Sequence, residues 1–467
     1  MTDYLLILHL IIATGAAGHA LLYKRRSRSA TAWIGAIFLI PGGALFYYLF
    51  GVNRVRRRGQ KLDLRYPRAP GRDGEKYHVS SAELSDRFPP AAVIGASLSD
   101  YHMVTGNHVE VLHNGQQAYP SMLKAIESAE RYIYLCTYIF EIDAIGEAFI
   151  QALIGARNRG VSVHVITDGF GELTPLPKAS WRLAAGRIDA HQFLPLRLFP
   201  PQIYLNLRNH RKLLIVDGRT GFTGGMNISG RHVTDKDGGK RPVIDTQFVF
   251  EGPVVSQLAD VFRRDWFFIC GETLTHDDTI TDVSGSHACR TIPDGPNEPM
   301  DRLESLLAGL VANATRGIAI MTPYFLPSHE LISALRIASL KGVTVEIILP
   351  EKSDVPWVDW ATRKLLWEIL LYGVRVYYRP PPFAHTKVLL IDDEYTLIGS
   401  ANWDARSLRL NFELCVEIFG RELASKLIAN FEETKNVSRA ITLEDMDNRS
   451  LPARLRDAFC WLGSPYL

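Results

Sequence analysis

A chain of 467 residues with 47% hydrophobic and 22% charged side chains buries at least one large core and is neither disordered nor low in complexity. Its five cysteines, Cys136, Cys270, Cys289, Cys415 and Cys460, are odd in number and contain no C-x-x-C pair, which excludes a disulfide-stapled miniprotein and leaves buried or free thiols. Lys+Arg 52 against Asp+Glu 50 nearly balance, but residues 1–61 hold nine Lys/Arg and one acid, so the remainder is net acidic by about six and nucleic acid is not the expected partner.

The first element, Tyr4 to Tyr23, is twenty residues without formal charge, enough at ~1.5 Å per residue to cross a hydrocarbon layer. Ala30 to Val52 is a second uncharged run, with Trp33, Tyr47 and Tyr48 towards its ends and a break at Pro41-Gly42-Gly43. Basic clusters follow each run, Lys24 to Arg28 and Arg54 to Arg58, as expected of segments that end at anionic lipid head groups. No positive region precedes the first run, so a cleaved signal peptide fits poorly. These features predict a transmembrane helical hairpin over residues 1–61 and a multi-pass location in the cell membrane. Its orientation stays open, because the hairpin loop and the downstream flank are both basic.

Residues 62–106, interrupted by Pro67, Pro70, Pro89 and Pro90, read as a linker. Strand and helix then alternate: a strand at Val109 to Leu112, a helix at Tyr119 to Ser128, a strand at Tyr132 to Tyr138, a helix at Gly146 to Asn158 and a strand at Val161 to Ile166. A Gly, Asp and Pro-rich stretch, 271–300, reads as a second linker. The same order then returns as a helix near Leu303 to Ala312, a strand Gly317 to Met321, a helix His329 to Leu340 and a strand Val343 to Leu349. Thr137-Tyr138-Ile139-Phe140 matches Thr322-Pro323-Tyr324-Phe325, and Arg159-Gly160-Val161 matches Lys341-Gly342-Val343. A repeat this long predicts two similar α/β lobes, 107–270 and 301–467, with mixed, largely parallel sheets faced by helices and pseudo-twofold symmetry.

Each lobe carries H-x-K-x-x-x-x-D, as His210, Lys212 and Asp217 and again as His385, Lys387 and Asp392. Seventeen residues past each histidine stands an asparagine in a small-residue turn, Gly224-Gly225-Met226-Asn227 and Gly399-Ser400-Ala401-Asn402. In extended chain, residues i and i+2 share a face, so each imidazole sits beside an ammonium. The apolar runs Leu213 to Val216 and Val388 to Ile391 suit buried strands. Two imidazoles, two ammoniums and two amides around one centre match a phosphodiester. Lys212, Lys387, Asn227 and Asn402 would hold its oxygens, while one histidine attacks phosphorus and the other moves the proton of the alcohol. This chemistry calls for no metal or cofactor. Asp245 and Glu413, each opening an apolar strand, are candidates to orient the histidines through the far ring nitrogen.

The twin motifs with their Asn turns resemble the phospholipase D superfamily. Leu207-Arg208-Asn209-His210-Arg211-Lys212, Phe250-Glu251-Gly252-Pro253, Arg406-Ser407 and Leu410-Asn411-Phe412-Glu413 further resemble bacterial cardiolipin synthases of the two-span membrane type. The resemblance implies phospholipase D-like lobes. It implies a phosphohistidine on His210 or His385, phosphate binding by Lys212, Lys387, Asn227 and Asn402, and supporting roles for Asp217 and Asp392. The implied reaction moves the phosphatidyl group of one phosphatidylglycerol in the bilayer to another, giving cardiolipin and glycerol. Hydrolysis of phospholipid, or of nucleic acid, on the same scaffold is the alternative, and a catalytically silent scaffold is the third reading. Pro380-Pro381-Pro382-Phe383, Trp403 and Ala405 depart from the pattern and are expected at the acceptor pocket. Which histidine attacks, whether phosphatidylethanolamine replaces one substrate, and the oligomeric state stay open.

Overall fold

The computed structural model describes residues 2–24, 27–52, 66, 78–80, 83, 90–172, 178–195, 207–235, 241–276, 285–296 and 301–464. The first half contributes β1 Val104–His113, β2 Tyr132–Thr137, β3 Ser162–Asp168, β4 Asp189–Phe193, β5 Leu213–Val216, β6 Thr220–Gly224, β7 Val243–Ile244 and β8 Thr246–Glu251. The second half contributes β9 His287–Asp294, β10 Gly317–Met321, β11 Phe325–Leu326, β12 Thr344–Pro350, β13 Arg375–Arg379 and β14 Phe383–Ala384. It continues with β15 Val388–Ile391, β16 Tyr395–Gly399, β17 Trp403–Asp404, β18 Glu413–Phe419 and β19 Arg439–Ile441.

Fifteen of these strands form one sheet, ordered β4-β3-β2-β5-β6-β8-β1-β9-β18-β16-β15-β10-β12-β13-β19. Apart from β19, the order reads alike from both ends about the β1/β9 seam, which is the pseudo-twofold of the repeat. The expectation of a largely parallel sheet is corrected. Only β2–β3, β3–β4, β10–β12 and β12–β13 are parallel, and the other neighbours in the sheet are antiparallel. The cause is connection length: a helix crosses between the parallel strands, whereas Asp217-Gly218-Arg219 and Asp392-Asp393-Glu394 are tight turns that join antiparallel neighbours.

The stretch 271–300 is also corrected as a linker, since it holds β9, a fully buried strand paired with β18 from Ala288↔Phe419 to Asp294↔Glu413. Pro293 and the surrounding turn residues hid it. Within 62–106, the helix Pro90–Leu98 buries Ala91 and Ala92 in the second half's core, and β1 begins at Val104.

The motif strands pack as their apolar runs require. Leu213 and Ile215 face one cluster while Leu214 and Val216 face another, and Val388 and Leu390 alternate likewise with Leu389 and Ile391. Leu213, Ile215, Val388 and Leu390 belong to the same cluster, so one apolar layer is shared by both halves. At ~1.5 to 3 kcal/mol per buried aliphatic side chain, that layer resists separation of the halves. All five cysteines are free.

The amino-terminal helices are Thr2–Tyr23, Ser27–Leu39 and Gly43–Phe46, followed by a wider turn at Tyr47–Gly51. Ala13, Ala20, Trp33, Ile37, Ala44 and Tyr47 pack between them. The second expected segment is cut after Leu39, where Pro41 offers no N–H and Gly42 turns left-handed at φ 77°. Among the described residues, no helix is long and apolar enough to cross a membrane. The two spanning helices expected from sequence are therefore not found in that form. Arg54 to Arg58 lie outside the described residues.

Candidate active site

His210 and Lys212 lead into β5, and His385 and Lys387 lead into β15. Each lysine turns back on its own histidine: Lys212 Nζ donates to the His210 carbonyl at 2.7 Å, and Lys387 Nζ to the His385 carbonyl at 2.6 Å. All four side chains are buried, with each histidine 9% exposed.

The two histidine segments are held by the opposite halves. His210 N donates to Phe412 O at 2.9 Å, and His385 N donates to Ile244 O at 2.7 Å. Phe412 and Ile244 immediately precede Glu413 and Asp245. The carboxylates therefore meet the histidines crosswise. His210 Nδ1 lies 3.1 Å from both Glu413 oxygens and 3.1 Å from Ser400 O, and His385 Nδ1 lies 2.8 Å from Asp245 Oδ2. With Nδ1 facing the carboxylate in both rings, and in His385 also approached by Lys387 Nζ at 3.0 Å, Nε2 is the ring nitrogen left for chemistry. The sequence singled out both carboxylates as candidates to orient the histidines, whereas their exchange between halves is tertiary. Thr246 and Thr386 hydroxyls meet at 3.2 Å across the same seam.

Burial dominates the electrostatics. It lowers His210 to about 4, aided by the Lys212 and Lys387 charges and opposed by Glu413. His385 falls well below its ordinary value through burial, then Lys387, Lys212 and His210. Burial also lowers Lys212 to about 7 and Lys387 to about 8. Glu413 is lowered, because His210 and Lys212 overcome its burial, whereas Asp245 is raised by burial. His210, through its charge and its hydrogen bond, exerts the largest pull lowering Glu413, and the Ser400 hydroxyl, which donates to Glu413 at 2.5 Å where the first half has Gly225, adds a smaller one. A phosphodiester anion in this cluster would raise both lysines and favour an imidazolium.

Asn227 accepts the Ile139 N–H at 3.2 Å, and the Asn402 amide donates to Ser407 Oγ at 3.2 Å. Among the described residues, Asn402 Oδ1 has no hydrogen-bond partner. Asp217 and Asp392 are corrected as members of the centre. They lie at the far ends of β5 and β15, about 16 Å along the chain from the lysines at ~3.3 Å per residue. Asp217 accepts the Glu130, Arg131 and Tyr132 N–H groups at 2.9, 2.7 and 2.8 Å. Asp392 accepts those of Thr315, Arg316 and Gly317 at 2.8, 2.7 and 3.0 Å. Both bind the turn before the neighbouring strand. Trp403 is corrected as a pocket residue, since it is 5% exposed and stacks on Phe325.

Sequence reasoning missed two aromatic walls. Tyr138 meets the His210 ring edge-on at 5.1 Å, and its ring lies 5.4 Å from Lys212 Nζ. Tyr324 stands 6.5 Å from the His385 ring and donates to Asp354 at 2.6 Å. Their repeat in matching tetrapeptides was the available signal. Among the described residues, no group of three or more His, Cys, Asp or Glu side chains is arranged to hold a metal ion.

The family model described as "Cardiolipin synthase, PLD-like domain" matches residues 122–266 and 307–435. The major cardiolipin synthase ClsA of Bacillus subtilis (strain 168) is 32% identical, with both chains covered over 100% of their length. A cardiolipin synthase A of Pseudomonas putida is 32% identical over 99% of this chain and 98% of its own. A phosphatidylserine synthase from Haemophilus influenzae has the same fold, with a TM-score of 0.63 over 81% of this chain and all of its own, at 14% identity.

Proposed function

Because the chain belongs to the cardiolipin synthase family of phospholipase D-like proteins, we propose that it is a phosphatidyltransferase making cardiolipin and glycerol from two phosphatidylglycerols. The observation that carries this reading is the crossed pair of histidine-carboxylate contacts, which makes one centre from both halves.

In the proposed reaction, Nε2 of one histidine attacks phosphorus of the first phosphatidylglycerol, and the bond from phosphorus to the glycerol head group breaks. The other histidine gives its proton to that glycerol oxygen, and glycerol leaves. The head-group hydroxyl of a second phosphatidylglycerol then loses its proton to the same histidine and attacks phosphorus. The P–N bond breaks and cardiolipin departs. Lys212, Lys387, Asn227 and Asn402 hold the non-bridging oxygens, where charge builds in the five-coordinate transition state. Glu413 and Asp245 keep each Nε2 presented and stabilise the imidazolium.

The amino-terminal helices are proposed to sit in the bilayer and hold the enzyme at its substrate. Their apolar side chains support this: Ile11, Leu22, Leu39 and Leu45 are 65, 79, 83 and 62% exposed. Purified protein incubated with phosphatidylglycerol alone in detergent tests the reaction. Cardiolipin with an equal amount of glycerol is the expected product. Phosphatidic acid would replace this reading with a hydrolase, and absence of turnover would overturn it.

A further inference from the structure

The helix Leu451–Leu462 is fastened by its polar side and leaves an apolar side outward. Asp457 is 1% exposed and is held by Arg449 and by Arg456, whose Nε and Nη2 lie 3.1 and 2.9 Å from Oδ1. The Arg456 guanidinium also sits 4.3 Å over the ring of Trp360, on the helix Pro356–Leu370. With Asp457 turned inward, helical spacing gathers Leu451, Leu455, Phe459 and Leu462 into one outward stripe. They are 68, 62, 77 and 70% exposed. Arg454 and Arg456 fall on either border of that stripe. From there the Arg454 guanidinium reaches anionic head groups while its stem lies along apolar surface, whereas Arg456 stays with Asp457 and Trp360.

The end of this helix adjoins the active site. Cys460 and Trp461 pack against the buried cluster of Leu326, Val358 and Ala361, and Tyr324, whose ring faces His385, packs against the same cluster. Trp357, in the first turn of the neighbouring helix, is 52% exposed.

We propose that the outward stripe of Leu451–Leu462 docks the catalytic body on a bilayer surface rich in anionic phospholipid, beside the His385 wall. The inference rests on reading the site as a lipid phosphatidyltransferase. Two features favour lipid over a second copy of the chain. Arg454, exposed at the border of the stripe, complements anionic head groups, and the stripe continues to a centre whose proposed reactants are themselves membrane lipids.

The full chain, carrying photoreactive benzoylphenylalanine in place of Phe459, is reconstituted in vesicles of phosphatidylglycerol and phosphatidylcholine and irradiated. A lipid adduct at position 459, and none when the same group replaces exposed Glu422, is expected. An adduct to a second copy, or none, overturns the proposal. Photocapture needs no turnover, so it reads docking even in a preparation that makes no cardiolipin. Turnover without a lipid adduct sinks the docking alone. A Leu455→Glu/Phe459→Glu variant should turn over vesicle phosphatidylglycerol at least about tenfold more slowly, while its rate on short-chain monomeric phosphatidylglycerol is unchanged. Unchanged vesicle rates, or equal losses on both substrates, count against docking.

Discussion

The two half-sites share a plan and differ in their supports. In one, His210 meets the longer Glu413, steadied by the Ser400 hydroxyl, and both carboxylate oxygens stand 3.1 Å from Nδ1. In the other, His385 meets the shorter Asp245 through one oxygen at 2.8 Å, and Gly225 takes the place of serine. A Cβ on Gly225 would come 2.5 Å from Asp245 Oδ1, so the missing side chain is what admits the aspartate. Carboxylate length and turn residue are thus matched within each half. The comparison teaches that the conserved quantity between halves is an oriented ring, reached by two different sets of contacts.

The largest effect is expected from the rings themselves. His210→Ala and His385→Ala should each reduce cardiolipin formation by at least about 10⁴-fold, and the double variant should be little worse than either single one. Near-normal turnover in either single variant would mean that the halves act separately. Next, Glu413→Gln and Asp245→Asn should lower kcat about 10²- to 10³-fold with little change in KM, the aspartate variant more, because His385 lacks the second oxygen that His210 has. Equal losses would show that the unequal supports do not matter.

Stability against pH reads the burial of the rings. His210 is lowered to about 4 from the ordinary 6.5, so between these values the unfolded chain binds the proton that the folded chain refuses. Its contribution favours folding above pH 6.5 and is lost as pH falls towards 4, by up to about 3 kcal/mol. Denaturant unfolding of wild type and His210→Ala across that window should show the shallower acid loss in the variant. Asp217→Ala removes an acceptor for three backbone N–H groups and should cost about 2 to 3 kcal/mol. Turnover per folded molecule should stay within about twofold of wild type, since a bystander to chemistry costs only stability. The smallest effect tests the matching of supports: Gly225→Ser should slow turnover roughly tenfold by displacing Asp245. Adding Asp245→Glu, which copies the other half, should recover part of the loss.

Both motif strands, the Asn turns and the helix and strand alternation were legible because each depends on local periodicity and repetition. The central strand β9 was not, because Pro293 and its turn-rich flanks carry no strand signal of their own. What makes it a strand is pairing with β18 and β1. The third members of the motifs, Asp217 and Asp392, to which the resemblance gave supporting roles, lie a strand's length from the centre, binding backbone amides. The walls formed by Tyr138 and Tyr324 were visible as a repeat and carried no direction.

Composition and order of residues by themselves established two copies of an imidazole-ammonium pair on buried strands, an apolar beginning, and the kind of phosphorus chemistry such groups serve. Tertiary structure decided which carboxylate serves which histidine, that the strands join in one mixed sheet, and which motif acids stand apart from the centre. The reason is that facing residues on one strand follow from the backbone's period of two. Contacts such as Glu413 with His210 join positions 203 residues apart, and only the packing of the two halves against a shared core sets them.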